Sequence, residues 1–240
     1  MVVVTRVGVI FWDFDGTLGY GPHGPGSWRP CLIEALDQLH PGHGVTPADL
    51  RQFTRNRYPW SNPDVAHTHL VSAAEWWAEL EAVFGEAFEG VGYVETATEL
   101  ANLAGRFYAD GSRWGLFEDT IPVLQQLRDN GWQHVVFSNN VPELETNLGL
   151  LGLNQIVEVV VCSAAIGYEK PHPEAYRCAL RAAGHPRTRW MVGDNFQADV
   201  VGAEQAGIPA ILVRSEHPHA QRRARDLVEA ATIITARPAG

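Results

Sequence analysis

Two aspartates near the start of the chain, Asp13 and Asp15, have the type and spacing needed to handle a charged substrate. They follow an apolar run at residues 7–12, which predicts a parallel strand buried on both faces. Side chains alternate along an extended segment, so both carboxylates can lie on the same side. Two acids at the end of a buried strand need a positive charge beside them, and a divalent cation bound by oxygen atoms can supply it. Gly16 allows a sharp turn there, and the Thr17 hydroxyl can hydrogen-bond locally or to a ligand.

Polar residues suited to phosphate chemistry recur at three later points of the chain. Ser138 and Asn139 end an apolar segment, where a hydroxyl and successive backbone N–H groups can hold phosphate oxygens. Asp194 ends another apolar segment, and Asp199 stands five residues further on. Lys170 is the single lysine of the chain, in which every other basic side chain apart from histidine is arginine. A lone lysine in that background suggests a position where a compact ammonium is required and a guanidinium is not equivalent.

The elements that must position these residues alternate between strand and helix from residue 116 onward. Apolar runs predict strands at residues 132–137, 156–162, 189–192, 210–213 and 232–235. Amphipathic stretches between them predict helices at residues 122–130, 142–150, 173–183, 197–206 and 220–230. This alternation predicts a parallel sheet with helices on both faces, and ligands of such sheets bind beyond the carboxyl ends of the strands.

The segment between the first strand and this alternating region has a different character. Over residues 28–108 apolar side chains recur at helical spacing, and no strand pattern is found. Pro47 and Pro63 stand where two of these helices are expected to begin. A glycine- and proline-rich break at residues 19–26 precedes the segment and is interpreted as a hinge. We therefore predict an all-helical insertion after the first strand.

The four polar motifs resemble, in the same order, the signatures of the haloacid dehalogenase-like hydrolases, most of which are magnesium-dependent phosphatases. The matching residues are Asp13-Phe14-Asp15-Gly16-Thr17, Ser138-Asn139, the segment around Lys170, and Gly193-Asp194 with Asp199. The resemblance implies an α/β fold with a Rossmann-like parallel-sheet core and a helical cap domain inserted after the first motif. We expect the core domain to comprise residues 1–19 and 112–240 and the cap domain residues 20–111.

The resemblance also implies a reaction, hydrolysis of a small phosphorylated metabolite with Mg²⁺ as cofactor. Asp13 is expected to be the nucleophile, which would carry the phosphoryl group as an aspartyl phosphate. Asp15 is expected to act as general acid and then general base. Lys170 is expected to offset the negative charge of Asp13 and the bound phosphate.

Binding roles follow from the same resemblance. The residues expected to bind phosphate are Thr17, Ser138 and Asn139. The residues expected to bind Mg²⁺ are the carboxylate of Asp13, the backbone carbonyl of Asp15 and the carboxylate of Asp194. Asp199 is expected to hold Lys170 or a metal-bound water.

Several other functions occur on related or similar folds. A phosphosugar mutase shares all four motifs and remains the enzymatic alternative, and a catalytically silent phosphate-binding protein is a further one. Dehalogenases of the family need no metal and lack the second acid, so Asp15 and Asp194 argue against that chemistry. Phosphonoacetaldehyde-type hydrolases use a cap lysine, which the predicted cap does not contain. A receiver-type phosphoacceptor domain would carry its nucleophile on a later strand and have no helical insertion.

The composition is that of an ordinary globular protein, with 240 residues of which 45% are hydrophobic and 19% charged. A net charge of −10 argues against a surface for nucleic acid or for an anionic membrane. Cys31, Cys162 and Cys178 lack metal-ligand spacing and are interpreted as reduced thiols. No signal peptide or membrane span is predicted, so we expect a cytoplasmic protein, and the oligomeric state stays open.

Two features of the predicted cap have competing interpretations. Arg51, Arg55 and Arg57 lie next to two aromatic residues and are interpreted chiefly as a solvated face, with recognition of an anionic substrate as the alternative. The adjacent Trp76 and Trp77 are interpreted as part of the apolar core of the cap.

Overall fold

A computed structural model describes residues 6–25 and 28–236 and places a parallel sheet of six strands at the centre of the molecule. Two further short strands, the second and third along the chain, pair with each other outside this sheet. In chain order the strands are Gly8–Trp12 (β1), Gly19–Tyr20 (β2), Gly115–Leu116 (β3), Trp132–Ser138 (β4), Val159–Cys162 (β5), Arg189–Gly193 (β6), Ala210–Val213 (β7) and Arg223–Ala224 (β8).

The first strand lies in the middle of the six-stranded sheet, whose order is β5-β4-β1-β6-β7-β8 with every pairing parallel. Alternate side chains of β1 enter two different apolar clusters, because successive residues of a strand point to opposite faces. Ile10 and Trp12 belong to one cluster, whereas Val9 and Phe11 belong to the other. Both faces of the sheet are therefore covered, which confirms the α/β class predicted from the sequence.

Ten α-helices lie in the described residues. In chain order they are Arg29–Leu39 (α1), Pro47–Thr54 (α2), Ala73–Gly90 (α3), Ala97–Ala109 (α4), Thr120–Asp129 (α5), Leu144–Leu150 (α6), Ser163–Ile166 (α7), Pro173–Ala182 (α8), Gly202–Gln205 (α9) and Leu227–Thr235 (α10). A π-helix, Phe196–Val201, runs directly into α9.

The insertion between β2 and β3 is helical, as predicted. The described residues 28–109 contain α1 to α4 and a short 3₁₀ turn, Pro59–Ser61, and no strand. The apolar face of α3 is buried against α4 and α2, because residues such as Trp76, Leu80 and Phe84 recur every three or four positions. These helices form a layer above the carboxyl ends of the central strands.

The two connections between sheet and insertion pair with each other as an antiparallel ribbon. Gly19 of β2 lies opposite Leu116 of β3, and Phe14 stacks on Trp114 with ring centroids 5.3 Å apart. Two residues of the predicted hinge at residues 19–26, Gly19 and Tyr20, thus form a strand, and Gly26 lies outside the described residues. The ribbon lies close to the predicted domain boundaries. The division into a core of residues 1–19 and 112–240 and a cap of residues 20–111 stays a prediction. Residues 1–5 and 237–240 of the predicted core lie outside the described residues.

The carboxyl-terminal elements differ from the prediction. The sequence pattern predicts a helix at residues 220–230 and a strand at residues 232–235, whereas the structure has strand β8 followed by helix α10. The Asp226 side chain accepts a hydrogen bond from the Glu229 backbone N–H at 2.8 Å and so begins the helix at residue 227. Leu227, Ala230, Ala231 and Ile234 then face the core at helical spacing.

One predicted helix start is also wrong. No α-helix begins at Pro63; the next helix, α3, begins at Ala73. Ser72 and Glu75 form a reciprocal capping box there, in which the side chain of each residue accepts the backbone N–H of the other, so the first turn of α3 is capped at Ser72. Pro47, by contrast, is the first residue of α2 as expected.

Within residues 6–25 and 28–236, no helix combines the length and the apolar character that crossing a bilayer would need.

Candidate active site

The carboxyl ends of three neighbouring strands bring the predicted site residues to one edge of the sheet. Trp12, the last residue of β1, is paired with Val136 of β4 on one side and Val192 of β6 on the other. Asp13 follows Trp12 and donates its backbone N–H to the Val192 carbonyl at 2.9 Å. Ser138 ends β4, and Asp194 comes directly after β6, so both lie beside Asp13.

Asp13 and Lys170 form an ion pair that is shielded from solvent. The Lys170 Nζ lies 2.8 Å from Asp13 Oδ1 and 2.5 Å from Asp199 Oδ1. Ser138 Oγ donates to the same Asp13 Oδ1 at 2.9 Å. The Lys170 side chain is 1% exposed, so its charge is held in place by these carboxylates and not by water.

Asn139 fixes the backbone that carries Lys170. Its Nδ2 donates to the Lys170 carbonyl at 2.9 Å, and its Oδ1 accepts the Lys170 backbone N–H at 2.7 Å. Asp199 is fixed in turn, because its Oδ2 accepts the Asn195 backbone N–H at 3.0 Å. The ammonium is therefore positioned both through its backbone and through its charge partners.

The loop after β1 is held close to Asp194. Gly16 has a φ of +88°, and a Cβ at this residue would lie 2.4 Å from Asp194 Oδ2, so only glycine permits this approach. Thr17 donates its hydroxyl to Asp13 Oδ2 at 3.5 Å, and its carbonyl accepts Arg214 Nε at 3.1 Å. The loop thus presents the Thr17 hydroxyl towards the Asp13 carboxylate.

The site concentrates negative charge in a buried place. Burial raises the pKa of Asp194 to about 8, and the nearby carboxylates of Asp13 and Asp199 add to that rise. Burial alone would lower the pKa of the Lys170 ammonium, but the same two carboxylates outweigh it and raise this pKa above its usual value. Lys170 is therefore charged at neutral pH, and a further cation beside these carboxylates would favour the ionised form of Asp194.

The residues present fit a divalent cation. Asp13, Asp194 and Asp199 each offer a carboxylate oxygen, and these oxygens all lie within 4.8 Å of one another. Hard oxygen ligands of this kind suit Mg²⁺. Both oxygens of Asp199 already accept close hydrogen bonds, Oδ1 from the Lys170 ammonium and Oδ2 from the Asn195 backbone N–H, whereas Asp13 Oδ2 has only the 3.5 Å contact with Thr17. Asp13 and Asp194 are therefore the two carboxylates best placed to hold the ion.

A cavity of about 450 Å³ opens from this cluster towards the helices of the insertion. Its inner end is lined by the catalytic candidates, including Asp15, and by Ser138 and Asn139. Its outer wall is largely aromatic and is formed by Trp28, Trp60, Trp76, Trp77, Phe84 and Tyr108. A ligand bound at the acidic cluster would extend between these rings.

Comparison with known proteins identifies the family of this chain. A family model described as haloacid dehalogenase-like hydrolase matches residues 7–207, which is most of the chain. The chain belongs to the haloacid dehalogenase-like hydrolases.

Curated proteins of the same family show the match in sequence. Human haloacid dehalogenase-like hydrolase domain-containing protein 3 is 30% identical over 217 residues, which cover 87% of this chain and 82% of that protein. The phosphoserine phosphatase of Thermus thermophilus is 34% identical over 183 residues, which cover 68% of this chain and 72% of that enzyme. The GMP/IMP nucleotidase YrfG of Escherichia coli is 26% identical, with 84% and 80% covered.

Solved structures show that the fold is shared. The magnesium-bound HAD-hydrolase YfnB of Bacillus subtilis has a TM-score of 0.70 at 17% identity, covering 97% of this chain and 100% of that chain. The L-2-haloacid dehalogenase of Xanthobacter autotrophicus has a TM-score of 0.65 at 17% identity, covering 94% and 97%. At these identities the likeness concerns the fold alone.

In this haloacid dehalogenase-like hydrolase every residue predicted for the site lies around the cavity or next to it. Thr17 hydrogen-bonds to Asp13. The predicted residues that line the cavity are Asp13, Asp15, Ser138, Asn139, Lys170, Asp194 and Asp199. Their individual roles stay predictions. The structure adds one detail about Asn139. Both polar atoms of its side chain hydrogen-bond to the Lys170 backbone, so only the backbone N–H of Asn139 would be left to bind phosphate.

Sequence reasoning missed the aromatic wall of the cavity. The sequence predicts that Trp76 and Trp77 belong to the apolar core of the cap, and Trp76 is buried, yet both residues also line the cavity. A signal was present, because four of the eight tryptophans fall between residues 28 and 77. Arg51, Arg55 and Arg57, the alternative candidates for substrate recognition, are exposed and do not line the cavity, so the interpretation as a solvated face is confirmed.

Proposed function

We propose that the protein is a Mg²⁺-dependent phosphatase that hydrolyses a small phosphomonoester through an aspartyl-phosphate intermediate. The observation that carries the proposal is the contact of one buried carboxylate, Asp13, with both the Lys170 ammonium and the Ser138 hydroxyl. Two relatives support the reaction class, since one is named phosphoserine phosphatase and another glyceraldehyde 3-phosphate phosphatase.

In the first step the Asp13 carboxylate attacks phosphorus, and the bond between phosphorus and the ester oxygen breaks. Asp15 in its carboxylic acid form gives its proton to the departing alkoxide, so that an alcohol leaves. Asp13 then carries the phosphoryl group as an acyl phosphate. Lys170 holds the attacking side chain in one orientation, which lowers the entropy cost of this step.

In the second step a water molecule attacks the phosphorus of the aspartyl phosphate. The Asp15 carboxylate accepts a proton from that water, and the bond between phosphorus and the Asp13 oxygen breaks. Inorganic phosphate leaves, Asp13 is again a carboxylate and Asp15 is again protonated. The enzyme is therefore returned to its starting state.

The charge of the phosphoryl group must be balanced by groups of this chain. The Lys170 ammonium provides one positive charge, and its position is fixed by Asp199 and by the Asn139 side chain. Hydroxyls of Ser138 and Thr17 and the backbone N–H of Asn139 are the groups we assign to phosphate oxygens. Mg²⁺ held by Asp13, Asp194 and the Asp15 backbone carbonyl would supply further charge stabilisation of the phosphoryl oxygens.

The proposal is tested by phosphate release from an aryl phosphate in the presence of Mg²⁺. We expect turnover by the wild type and a fall in kcat of at least about a thousandfold for Asp13→Asn, because an amide cannot act as this nucleophile. Folding should be retained in that variant, since Lys170 keeps Asp199 as its partner.

A matched control is Asp129→Asn, which makes the same change at an exposed residue in the last turn of α5. Its kcat should equal that of the wild type. Absence of turnover by the wild type would contradict the proposal, and so would near-normal turnover by Asp13→Asn.

A further inference from the structure

The outer wall of the cavity consists of aromatic rings that also pack on one another. The Trp28 and Phe84 rings are stacked with centroids 5.3 Å apart and an interplanar angle of 19°. Trp60 stacks on Trp76 at 6.3 Å, and Trp76 meets Trp77 edge to face at 4.9 Å. Because each ring is held by a neighbour, the wall presents fixed faces and edges to whatever occupies the cavity.

Charged side chains line this cavity only at its inner end. Among the described residues that line it, the charged ones are Asp13, Asp15, Lys170, Asp194 and Asp199, all in the catalytic cluster. A leaving group with its own carboxylate or second phosphate would lose water at the aromatic wall without gaining a partner of opposite charge. Such desolvation is unfavourable, as it is for any buried ion without a partner.

Hydrogen-bonding groups on the aromatic wall are also few. The Trp77 Nε1–H already donates to Glu143 Oε1 at 3.0 Å, which ties α3 to the residue preceding α6. The Trp76 Nε1 is buried without a hydrogen-bond partner. The other uncharged polar side chains that could meet the leaving group are Tyr108 on the wall and Asn140, Asn195 and Gln197 elsewhere in the lining, so a sugar or glycerol group would find fewer hydrogen-bond partners at the wall than in water.

The volume of the cavity is large enough for a ring in the leaving group. An apolar cavity of about 150 Å³ is sufficient for benzene. The cavity here, about 450 Å³ including the catalytic end, therefore has room for a phosphate and one ring system.

From these features we infer that the substrate is a phosphomonoester whose leaving group has no negative charge and carries a flat aromatic ring seated among Trp28, Trp60, Trp76 and Phe84. This inference rests on the proposed phosphatase function. Ring stacking adds to the affinity beyond the area it buries, so the wall selects an aromatic ring over a saturated one.

The test compares four phosphate esters of primary alcohols, so that the basicity of the leaving oxygen is similar. They are phenylethyl phosphate, cyclohexylethyl phosphate, the primary phosphate ester of glycerol, and phosphoserine. We expect kcat/KM for phenylethyl phosphate to exceed that for the glycerol ester and for phosphoserine by at least about tenfold. It should exceed that for cyclohexylethyl phosphate by about threefold, as ring stacking predicts.

Two variants connect this selectivity to the wall. Phe84→Leu and Trp60→Leu keep apolar side chains but remove a ring, and the ratio of kcat/KM for phenylethyl phosphate to that for the glycerol ester should fall at least about fivefold. Phe53→Leu is the matched control, because Phe53 is a half-buried ring of α2 that does not line the cavity. Its ratio should stay at the wild-type value. A ratio measured on one sample does not depend on the folded fraction, so partial unfolding of a variant cannot imitate the effect.

The outcomes separate this inference from the proposed function. Turnover of all four esters with no preference for phenylethyl phosphate, or with a preference for phosphoserine, would overturn the inference and leave the phosphatase proposal intact. Equal turnover of the phenyl and cyclohexyl esters would overturn the aromatic assignment. If the enzyme hydrolyses none of these esters and no aryl phosphate in the presence of Mg²⁺, the proposed function on which the inference rests is contradicted.

Discussion

Lys170 shows most directly how the site depends on one residue type. Its Nζ contacts carboxylates on both sides, at 2.8 Å to Asp13 and 2.5 Å to Asp199, and lies 5.2 Å from the centroid of the Phe137 ring. A guanidinium carries its charge on a larger planar group and needs a wider space between its partners. With the side chain 1% exposed, that space is absent.

We therefore expect Lys170→Arg to lower kcat/KM at least about a hundredfold, although the charge is conserved. The arginine would displace Asp13 or Asp199 from the positions they hold now. Steady-state kinetics on one phosphate ester measure the effect, and circular dichroism shows whether the fold is kept. A loss smaller than threefold in a folded variant would mean that the position requires only a positive charge.

Residue types and their order were enough to predict the chemistry of the site but not the partner of every side chain. Asp13, Ser138, Lys170 and Asp194 could be assigned because each follows or precedes a recognisable element. The hydrogen bonds of Asn139 to the Lys170 backbone could not, because the two residues are 31 positions apart and their distance depends on the packing of the whole loop.

At the scale of elements, β1 is fixed to its neighbours by a buried polar link as well as by backbone pairing. The Trp12 Nε1–H donates to His134 Nδ1 at 3.0 Å, and His134 Nε2 lies 2.9 Å from the Leu124 carbonyl of α5. The neutral imidazole with its proton on Nε2 satisfies both contacts. Burial lowers the pKa of His134 from 6.5 to about 4, with only partial opposition from the Leu124 carbonyl.

This link predicts a stability that depends on pH. The unfolded chain binds a proton at His134 below about pH 6.5, whereas the folded protein does so only near pH 4, so this residue's contribution to the free energy of unfolding falls as the pH is lowered between these values. One pH unit corresponds to about 1.4 kcal/mol for one proton. From about pH 7.5 to about pH 5 the wild type should lose roughly 2 kcal/mol that His134→Gln does not lose.

Urea unfolding of both proteins at the two pH values measures this difference. Buried acids act in the opposite direction, because burial raises the pKa of Glu169 to about 7, but they are the same in both proteins and cancel in the comparison. Identical pH dependence in wild type and variant would show that His134 does not titrate differently on folding.

Most elements could be predicted because hydrophobic periodicity decides helix or strand where the pattern is long. The carboxyl-terminal end shows the limit of that reasoning. Residues 220–235 are rich in alanine and apolar side chains, and a two-residue strand such as β8 has no periodicity of its own. It exists because Leu212 and Val213 of the preceding strand are available to pair with Arg223 and Ala224, which is a tertiary effect.

At the scale of the whole molecule, the cavity is the feature that local patterns could not reveal. Its wall combines the start of α1, the 3₁₀ turn at Pro59–Ser61, α3 and α4 with strand ends of the sheet. Periodicity identifies each helix but not which of its faces meets the sheet. The aromatic residues were therefore visible in the sequence, while their common location above Asp13 was not.

The balance of charge in the folded protein leads to a last prediction, which concerns its response to Mg²⁺. Burial and the carboxylates of Asp13 and Asp199 raise the pKa of Asp194 to about 8, so below that pH a proton competes with the cation for this carboxylate. Mg²⁺ at about one hundred times its dissociation constant would stabilise the fold by about 2.7 kcal/mol, which raises Tm by several degrees. The rise in Tm on replacing EDTA by Mg²⁺ should therefore be larger near pH 8 than near pH 6.

This rise in Tm should vanish in Asp194→Asn, and EDTA should stop turnover of the wild type reversibly. A rise in Tm of equal size in Asp194→Asn would place the ion elsewhere, and activity that persists in EDTA would remove it from the reaction.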